Sequence, residues 1–537
     1  MRKKWLLTLL GLLVLLTVFS VSALAEGGKQ SGLFTYEIKG NGTACITKYD
    51  WAYNSGQDVY VPRMLDGYTV TEIGDYAFSD ESIFSATDIP SGDLLGDEVV
   101  IVLPDAVTVI GKQAFFWTKI TACNIPASVQ KIGAGAFAGC KKINYFSVDS
   151  GNPVYTTIDG VLYNKPEKEL VAYPTKLLDE IVQASEPVIS IPNGIASIGD
   201  FAFYDAINNK NNKSFYTTLS FSTVSSVKRI GSYAFFDCHF QSLDLEAMSA
   251  KLASEEAFRI DISTALEEIG DYAFCNSDIY LINLPDTLKS IGDYAFCNAL
   301  VATSYYIGRE SRGDITPELI LPPVTSVGEG AFARIRSGYW YGHYYIDCSK
   351  MSVLEIPKNM LKDAVIYGFV YLPEGLKRIG ENAFGFALKK GNNSVRKWNG
   401  ICLEMPASVE VIDSCSFEGR NLELSFPADS ELTEIGNDAF RECGFKVFNF
   451  ERYKSEDAET LALPEKLRKI GDYAFSKAKG LIEISIPESV TEIGKDIVDR
   501  SEIRLQAPDG SYAALWASEN GYTLKNASED DTSWLNS

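Results

Sequence analysis

Ile269-Gly270-Asp271-Tyr272-Ala273-Phe274 decides how this chain is read, because the same six letters return at Ile73 to Phe78, Ile291 to Phe296 and Ile470 to Phe475. Looser copies end at Phe115, Phe137, Phe203, Phe235, Phe332, Phe384, Phe417 and Phe440. A worn copy ends at Phe258, and a last one at Val498 has lost the aromatic. The cleanest spacings are 22 or 23 residues, as from Ile269 to Ile291 and from Ile470 to Ile493. A period of that length marks a protein of stacked repeats and falls in the range of leucine-rich repeats.

The unit opened by Ile269 continues as Ile279-x-x-Ile282-x-Leu284-Pro285 and then Leu288-x-x-Ile291. Alternation at Ile282, Asn283 and Leu284 predicts a strand with one buried face. Pro285 has no N–H to donate and marks the strand's end. Leu288 and Ile291 turn back into the same core, and Gly292 is read as permitting a tight turn. The Asp-Tyr-Ala-Phe segment is expected to form one helical or 3₁₀ turn, with Ala against the neighbouring coil and Phe filling the interior. A coil this short cannot bury its apolar side alone, whereas stacked coils can. The expected fold class is therefore an α/β repeat solenoid: strand-rich, with a long parallel β-sheet, short helical or 3₁₀ turns, and a cap at each end. Proline-ended strands recur at Pro104, Pro126, Pro192, Pro285, Pro322, Pro357, Pro373, Pro406, Pro427, Pro464 and Pro487.

The full pattern, L-x-x-I-x-I-P-x-x-V-x-x-I-G-x-x-A-F-x-x-C, resembles the BspA-like leucine-rich repeat family of bacterial surface and secreted proteins. The Ala-Phe pair and the Ile-Pro strand end carry the resemblance, which extends over nearly all of the chain after residue 25. It implies a leucine-rich repeat fold and a role as an adhesion or protein-binding surface rather than as an enzyme.

Residues 1–25 read as a signal peptide. Arg2, Lys3 and Lys4 precede the apolar run Trp5 to Val18, and Ala23-Leu24-Ala25 is a small-x-small site with cleavage between Ala25 and Glu26. The competing reading, a membrane anchor, calls for ~20 apolar residues. No membrane span is expected after cleavage. Residues 26–72 hold short strands that cap the first exposed edge, with a turn at Gly40-Asn41-Gly42. Residues 73–502 hold the repeats. Near 145–175 the period breaks into a hairpin, with strands at Val154 to Ile158 and Val161 to Tyr163 around Asp159-Gly160 and a third strand at Leu170 to Tyr173. It reads as a stabilising flap, the alternative being a binding protrusion. Further loops lie near 204–218, 300–318, 334–350 and 386–400. The gap from Val327 to Ile379 is read as a degenerate coil between strands ending at Pro357 and Pro373. Residues 503–525 form the C-terminal cap. It comprises a last strand, a helix from Ser511 to Asn520 with Tyr512, Leu515 and Trp516 inward, and Gly521 at the helix end. Residues 526–537 are an acidic tail.

Composition narrows the function. The formal net charge is −22, and losing Arg2, Lys3 and Lys4 makes it more negative still. Nucleic-acid binding relies on Lys and Arg neutralising phosphates, so no nucleic-acid partner is expected. The basic loop from Lys389 to Lys397 reads as a solvated turn. Single globular cores stop growing near ~250–300 residues, so a chain of 537 residues built on one repeat is read as one elongated domain. Ten cysteines in an exported protein suggest disulfides. Yet Cys140, Cys238 and Cys443 each follow a motif Phe by three residues, and Cys275 and Cys297 follow one directly. Residues in a repeated slot of this kind read as buried free thiols acting as small core hydrophobes.

Only two histidines, His239 and His343, are present, and there is no H-E-x-x-H, C-x-x-C, G-x-S-x-G or phosphate-binding glycine loop. No catalytic residue, metal or cofactor is expected. Carboxylates are plentiful enough for a two-carboxylate glycosidase. However, Asp75, Asp271, Asp293 and Asp472 recur at one motif position, which points to a turn or cap role.

Two candidate binding features remain. The residue before the last strand residue should form an exposed column on the sheet: Val102, Asn124, Ser190, Asn283, Ile320, Glu355, Tyr371, Glu404, Ser425, Ala462 and Ser485. A one-residue register slip would exchange its faces. The loop Tyr339-Trp340-Tyr341-Gly342-His343-Tyr344-Tyr345 concentrates aromatics, which interfaces favour. Its other reading is that the rings fold back over the flank of the degenerate coil. The functional expectation is a secreted or cell-surface binding protein, monomeric, with a protein or cell-surface glycan as ligand. A carbohydrate-binding or carbohydrate-active surface protein and a structural envelope spacer are the alternatives.

Overall fold

The computed structural model describes residues 28–54, 56–79, 99–182, 188–206, 218–221, 226–238, 265–279, 282, 284–301, 304–307, 315–335, 345–386, 400–449, 454–500 and 502–525. The signal-peptide cleavage site at Ala25 and Glu26, the copy at Phe258, both histidines and the acidic tail lie outside them. The chain divides into two compact units, Met1–Gly160 and Val161–Ser537, where one elongated domain was expected. The division falls inside the 145–175 segment, where the repeat period breaks.

The chain is strand-rich, with two α-helices among the described residues, Thr175–Val182 and Tyr512–Glu519. Each repeat pairs with its neighbours through two ladders, because it contains two strands of different length. The short strands end at the motif aliphatic residue. In the first unit Ile73, Ile110 and Ile132 lie in parallel register. In the second unit Ile198, Ile230, Ile269, Ile291 and Val327 do so. A further run follows from Ile356 through Ile379, Ile412, Ile435 and Ile470 to Ile493. The pairing of Ile230 directly with Ile269 brings Phe235 onto Phe274, ring centroids 5.2 Å apart.

The longer strands form the other ladder. Val99–Val102, Ile120–Ile125 and Tyr145–Val148 pair in the first unit. Ile315–Ile320, Tyr345–Asp347, Tyr367–Tyr371, Gly400–Glu404, Asn421–Ser425 and Gly444–Asn449 pair in the second. Glu459–Ala462, Leu481–Ser485, Arg504–Gln506 and Leu524–Lys525 form a separate parallel sheet.

Between the ladders the motif builds a turn, and here the expectation of a helical or 3₁₀ turn is corrected. In Gly270 to Ser277 every second N–H closes a tight turn: Ala273 to the Gly270 carbonyl, Cys275 to that of Tyr272, and Ser277 to that of Phe274. The N–H groups between them, from Tyr272, Phe274 and Asn276, donate to carbonyls of the next repeat at 2.7–2.8 Å. This alternation requires Tyr272 and Asn276 to take positive φ, 55° and 61°. The same position is left-handed at Tyr76, Gln113, Phe201, Tyr233, Tyr294, Asp438 and Tyr473. A left-handed non-glycine residue costs about 1–2 kcal/mol, and the inter-repeat hydrogen bond it makes offsets most of that with ~0.5–1.5 kcal/mol.

The motif glycine has a different purpose from the one read in the sequence. Gly292 does not have positive φ, and a Cβ on it would stand 2.6 Å from the backbone N of Asp271 and 2.4 Å from its carboxylate Oδ1. It is small because the preceding repeat passes against it. The Asp271 carboxylate reaches up and accepts the Asp293 N–H at 2.8 Å, as Asp293 does from Glu329 and Asp472 from Lys495. The repeated aspartate thus links each turn to the next.

The motif rings fill the interior in a column. Phe203, Phe235, Phe274, Phe296 and Phe332 stack at 4.8–5.2 Å, and Phe384, Phe417, Phe440 and Phe475 at 5.1–5.3 Å. The residue three positions after the ring donates to the carbonyl of the preceding repeat's Phe. Cys140, Cys238 and Cys443 do so through sulfur at 2.9–3.0 Å, Ser277 at 2.5 Å and Arg420 through Nε at 2.9 Å. The cysteines in this slot are free, and they act as donors, not only as small apolar fillers. Burial pushes the thiols of Cys140 and Cys443 up to about 12.

The C-terminal helix also departs from expectation. Tyr512 and Leu515 are exposed, and Ala513 and Ala517 are the buried pair. Small residues at i and i+4 let the helix lie close to the core, and Trp516 stacks on Tyr522 at 5.0 Å. Ser511 caps its N-terminus by accepting the Ala514 N–H, and Gly521 follows with φ 73°.

Candidate binding groove

In the second unit one break in the long-strand ladder, after Phe445, is made by a hairpin. Phe445 and Ala458 are hydrogen-bonded at 3.3 Å, and between them Lys446–Asn449 leaves the strand and Lys454–Asp457 returns to it. Lys446 to Asn449 pairs antiparallel with Lys454 to Asp457, forming a hairpin. This insertion splits a single repeat strand, so that Gly444 and Phe445 pair with Asn421 and Leu422 while Glu459–Ala462 joins the next sheet. The signal was legible: Phe440 and Phe475 are 35 residues apart, against 23 for Phe417 and Phe440.

The hairpin folds back over the outer face of the sheet. The Phe448 N–H donates to the Glu423 carboxylate at 2.7 Å. Its ring lies over Gly400, where a Cβ would meet the ring carbons at 2.5 Å. Gly400 is therefore glycine because an aromatic ring covers it. Lys446 and Asp457 form an ion pair across the hairpin. The outer face beyond Phe448 stays open as a cleft of about 1060 Å³, in the size range of a ligand site.

Alternation along the paired strands sets the floor. Ile401, Leu403 and Leu422 point inward and are fully buried. Their neighbours Cys402, Glu404, Glu423 and Ser425 line the cleft. Phe369 and Tyr371 continue the floor on the adjacent strand, nearly parallel with centroids 6.0 Å apart. Tyr371 is 51% exposed. Lys446 and Val447 of the hairpin, and Thr460 beyond it, complete the wall, while Glu374, Pro406 and Pro427 stand at the rim. Burial and the nearby Glu423 carboxylate push the Cys402 thiol up to about 12.

Of the candidate column, Tyr371, Glu404 and Ser425 meet on this floor. Asn124, Ser190 and Ala462 are exposed on their own strands, and Val102, Ile320 and Ser485 are half-buried. Asn283 lies outside the described residues. Glu355 is a correction. Glu355–Ile356 belongs to the short-strand ladder, paired with Arg378–Ile379, and Pro357 stands where other repeats have the motif glycine. The long strand of that repeat is Tyr345–Asp347, so Asp347 takes the column position opposite Ile320 and Tyr371. Met360 and Leu361 replace Ala-Phe there and are buried, which is why the repeat escaped the pattern.

Of the aromatic loop, Tyr339, Trp340, Tyr341, His343 and Tyr344 lie outside the described residues. Tyr345 is a strand residue, with its ring 5.7 Å from that of Phe369. The segment read as a loop near 300–318 contains two strands instead, Ser304–Ile307 and Ile315–Ile320, which pair as a hairpin. Among the described residues no group of three or more His, Cys, Asp or Glu is placed to hold a metal ion, and no helix is long and apolar enough to cross a membrane.

A family model for the BspA type leucine-rich repeat region matches in six copies, over residues 99–176, 185–302, 354–443 and 449–506. Solved structures similar to the chain include a leucine-rich repeat protein from Bacteroides ovatus, 20% identical, covering 86% of this chain and 95% of its own, with a TM-score of 0.35. Another is a leucine-rich cell surface protein from Faecalibacterium prausnitzii, 19% identical, covering 77% of this chain and 100% of its own, with a TM-score of 0.33. A leucine-rich repeat protein from Eubacterium ventriosum is 16% identical, covering 78% and 95%, with a TM-score of 0.34. Among curated proteins no relative matches.

Proposed function

The chain belongs to the BspA-type leucine-rich repeat family, and on that premise we propose that it is an exported, surface-displayed protein that binds a partner polypeptide and carries out no catalysis. The repeats would form a capped solenoid, with the phenyl column as its interior and the long strands as its recognition face. Export rests on the signal-peptide pattern ending at Ala25, and intact-mass measurement of exported protein should give a chain starting at Glu26. A retained N-terminus would overturn that part.

The observation that carries the binding reading is the cleft over Phe369, Tyr371, Glu404 and Ser425. Here a hairpin interrupts the repeat pattern and walls the outer face of the sheet. An exposed aromatic beside carboxylates and hydroxyls is the chemistry of recognition surfaces. The repeated aspartates, by contrast, are engaged with backbone N–H groups, which weighs against their acting as catalytic acids. The test is capture of proteins from cell and host extracts on the immobilised chain, with Tyr371→Ala beside the unaltered protein. Capture that depends on Tyr371 supports the reading. Capture unaffected by that change, or release of sugar from added glycans, would overturn it.

A further inference from the structure

We propose that the groove takes an extended, lysine- or arginine-rich segment of a partner polypeptide. The inference rests on the binding reading above and adds the chemistry of the ligand.

Charge is the first argument. The lining includes three carboxylates, Glu374, Glu404 and Glu423. Among the described residues the single cation of the lining is Lys446, and Asp457 neutralises it across the hairpin. A cationic partner supplies countercharge to the floor, while an acidic partner meets like charge. The net charge of −22 draws a basic segment toward the protein before contact.

The aromatic pair is the second. Phe369 and Tyr371 lie nearly parallel beside Glu404, and Tyr371 is half in solvent. A guanidinium or ammonium over such a ring gains cation–π attraction while its aliphatic stem covers the apolar floor. A neutral oligosaccharide could stack on the same ring but would bring no countercharge to the three carboxylates.

Shape and rigidity are the third. The Phe448 N–H fixes the Glu423 carboxylate, so one anionic contact is held in position before any ligand arrives. The cleft runs across the strands from Tyr367–Tyr371 to Glu459–Ala462. At ~4.8 Å per strand that is about 15 Å, enough for four or five residues of extended chain.

The test uses the chain from Glu26 and fluorescence anisotropy with a short labelled peptide of Lys, Ser and one Tyr. The same peptide with Gln or with Glu in place of Lys, and a chito-oligosaccharide, are run beside it. The Lys peptide should bind, the Gln peptide more weakly and the Glu peptide not at all. Glu374→Gln with Glu404→Gln should weaken the Lys peptide roughly tenfold, and Tyr371→Ala about fivefold. Glu519→Gln on the C-terminal helix should change nothing, and circular dichroism should show all variants folded. Equal binding of the Gln peptide, indifference to the two Glu changes, or Tyr371-dependent binding of the oligosaccharide alone would overturn the proposal. Protein capture that needs Tyr371 but is insensitive to these charge changes sinks this inference and leaves the binding reading standing. Capture indifferent to Tyr371 sinks that reading itself.

Discussion

Along the inner column, Phe384, Phe417, Phe440 and Phe475 occupy one position in four repeats and stack within 0.2 Å of the same spacing, 5.1–5.3 Å. On the outer face of neighbouring long strands, one position holds Tyr371, Glu404 and Ser425 in turn, and the next repeat opens into a hairpin. The two faces belong to the same repeats and differ in what limits them. A ring inside the column, such as Phe417 or Phe440, touches a copy of itself above and below, so any change there breaks two contacts. A residue on the outer face answers only to solvent and ligand. Regularity therefore marks where stability is held, and departures from it mark where binding chemistry can be placed.

The largest break of that contrast should come from Phe296→Ala. Phe296 is fully buried and stacks on both Phe274 and Phe332 at 5.2 Å. Truncating a buried Phe costs about 3–5 kcal/mol. Because repeats contact their neighbours, protection from hydrogen exchange should fall first around Phe274 and Phe332. Unchanged exchange there would show that the column does not carry the stability assigned to it.

Gly292→Ala should come next. Moving the Asp271 carboxylate aside would not relieve the clash, since the added Cβ also meets backbone atoms, Asp271 N and Gly270 C, at 2.6 Å. Overpacking of this kind costs about 1–3 kcal/mol, read as a lower midpoint in chemical denaturation. Gly375 is the control: it has φ 83° but nothing within 4 Å of its Cβ, so its substitution would report only backbone strain. If Gly292→Ala were silent, contact with the preceding repeat would not be what requires glycine there.

These two positions also show what the sequence made legible. Periodicity exposed the column, the proline-ended strands and the outward position of Glu404 and Ser425, because each rests on spacing within one repeat. It did not expose the reason for Gly292, which is an approach between repeats, nor the left-handed Tyr272, because tyrosine carries no propensity for that conformation. The Ile356 repeat was misassigned because Ile-Pro, elsewhere the end of a long strand, there replaces Ile-Gly. The groove stayed hidden for a related reason. Its floor was in the candidate column, but its wall is the hairpin, visible only as twelve extra residues between two motif rings.

A pH response should follow at the first repeats of the second unit. Burial, then the hydrogen bond that its protonated form donates to the Glu167 carboxylate, raises the Glu169 carboxyl from 4.5 to about 7. The folded state therefore holds this proton more tightly than the unfolded chain does. Its contribution is fully present below pH ~4.5 and is lost as the pH rises through about 7. Relative to the unaltered chain, Glu169→Gln should be less stable or equal at pH 5 and relatively more stable at pH 8. Other carboxylates respond in the opposite sense, Glu267 being held down to about 2 by Lys289 and Lys228. The difference between the two proteins isolates Glu169. Parallel stability curves from pH 5 to pH 8 would show that its proton is not coupled to folding.

The smallest effect, and the sharpest use of the contrast, compares two aspartates. Asp293 on the regular side accepts the Glu329 N–H at 2.8 Å, and Asp293→Ala would leave that turn without its link. By analogy with helix N-caps, where such a side chain contributes ~0.5–2 kcal/mol, the loss should be measurable. Asp457 on the hairpin pairs with Lys446, their side chains 59% and 27% exposed. An ion pair that open to solvent contributes about 0–1 kcal/mol. The Phe448 contacts with Glu423 and Gly400 still hold the hairpin, so Asp457→Asn should leave the thermal midpoint close to that of the unaltered protein. What it should change is the groove. Lys446 loses its neutralising partner, the lining becomes less acidic, and a lysine-rich peptide should bind more weakly with a smaller dependence on salt. A large loss of stability would show that the hairpin is part of the load-carrying frame. Tighter binding of the same peptide would show that Lys446 does not face the groove as a charge.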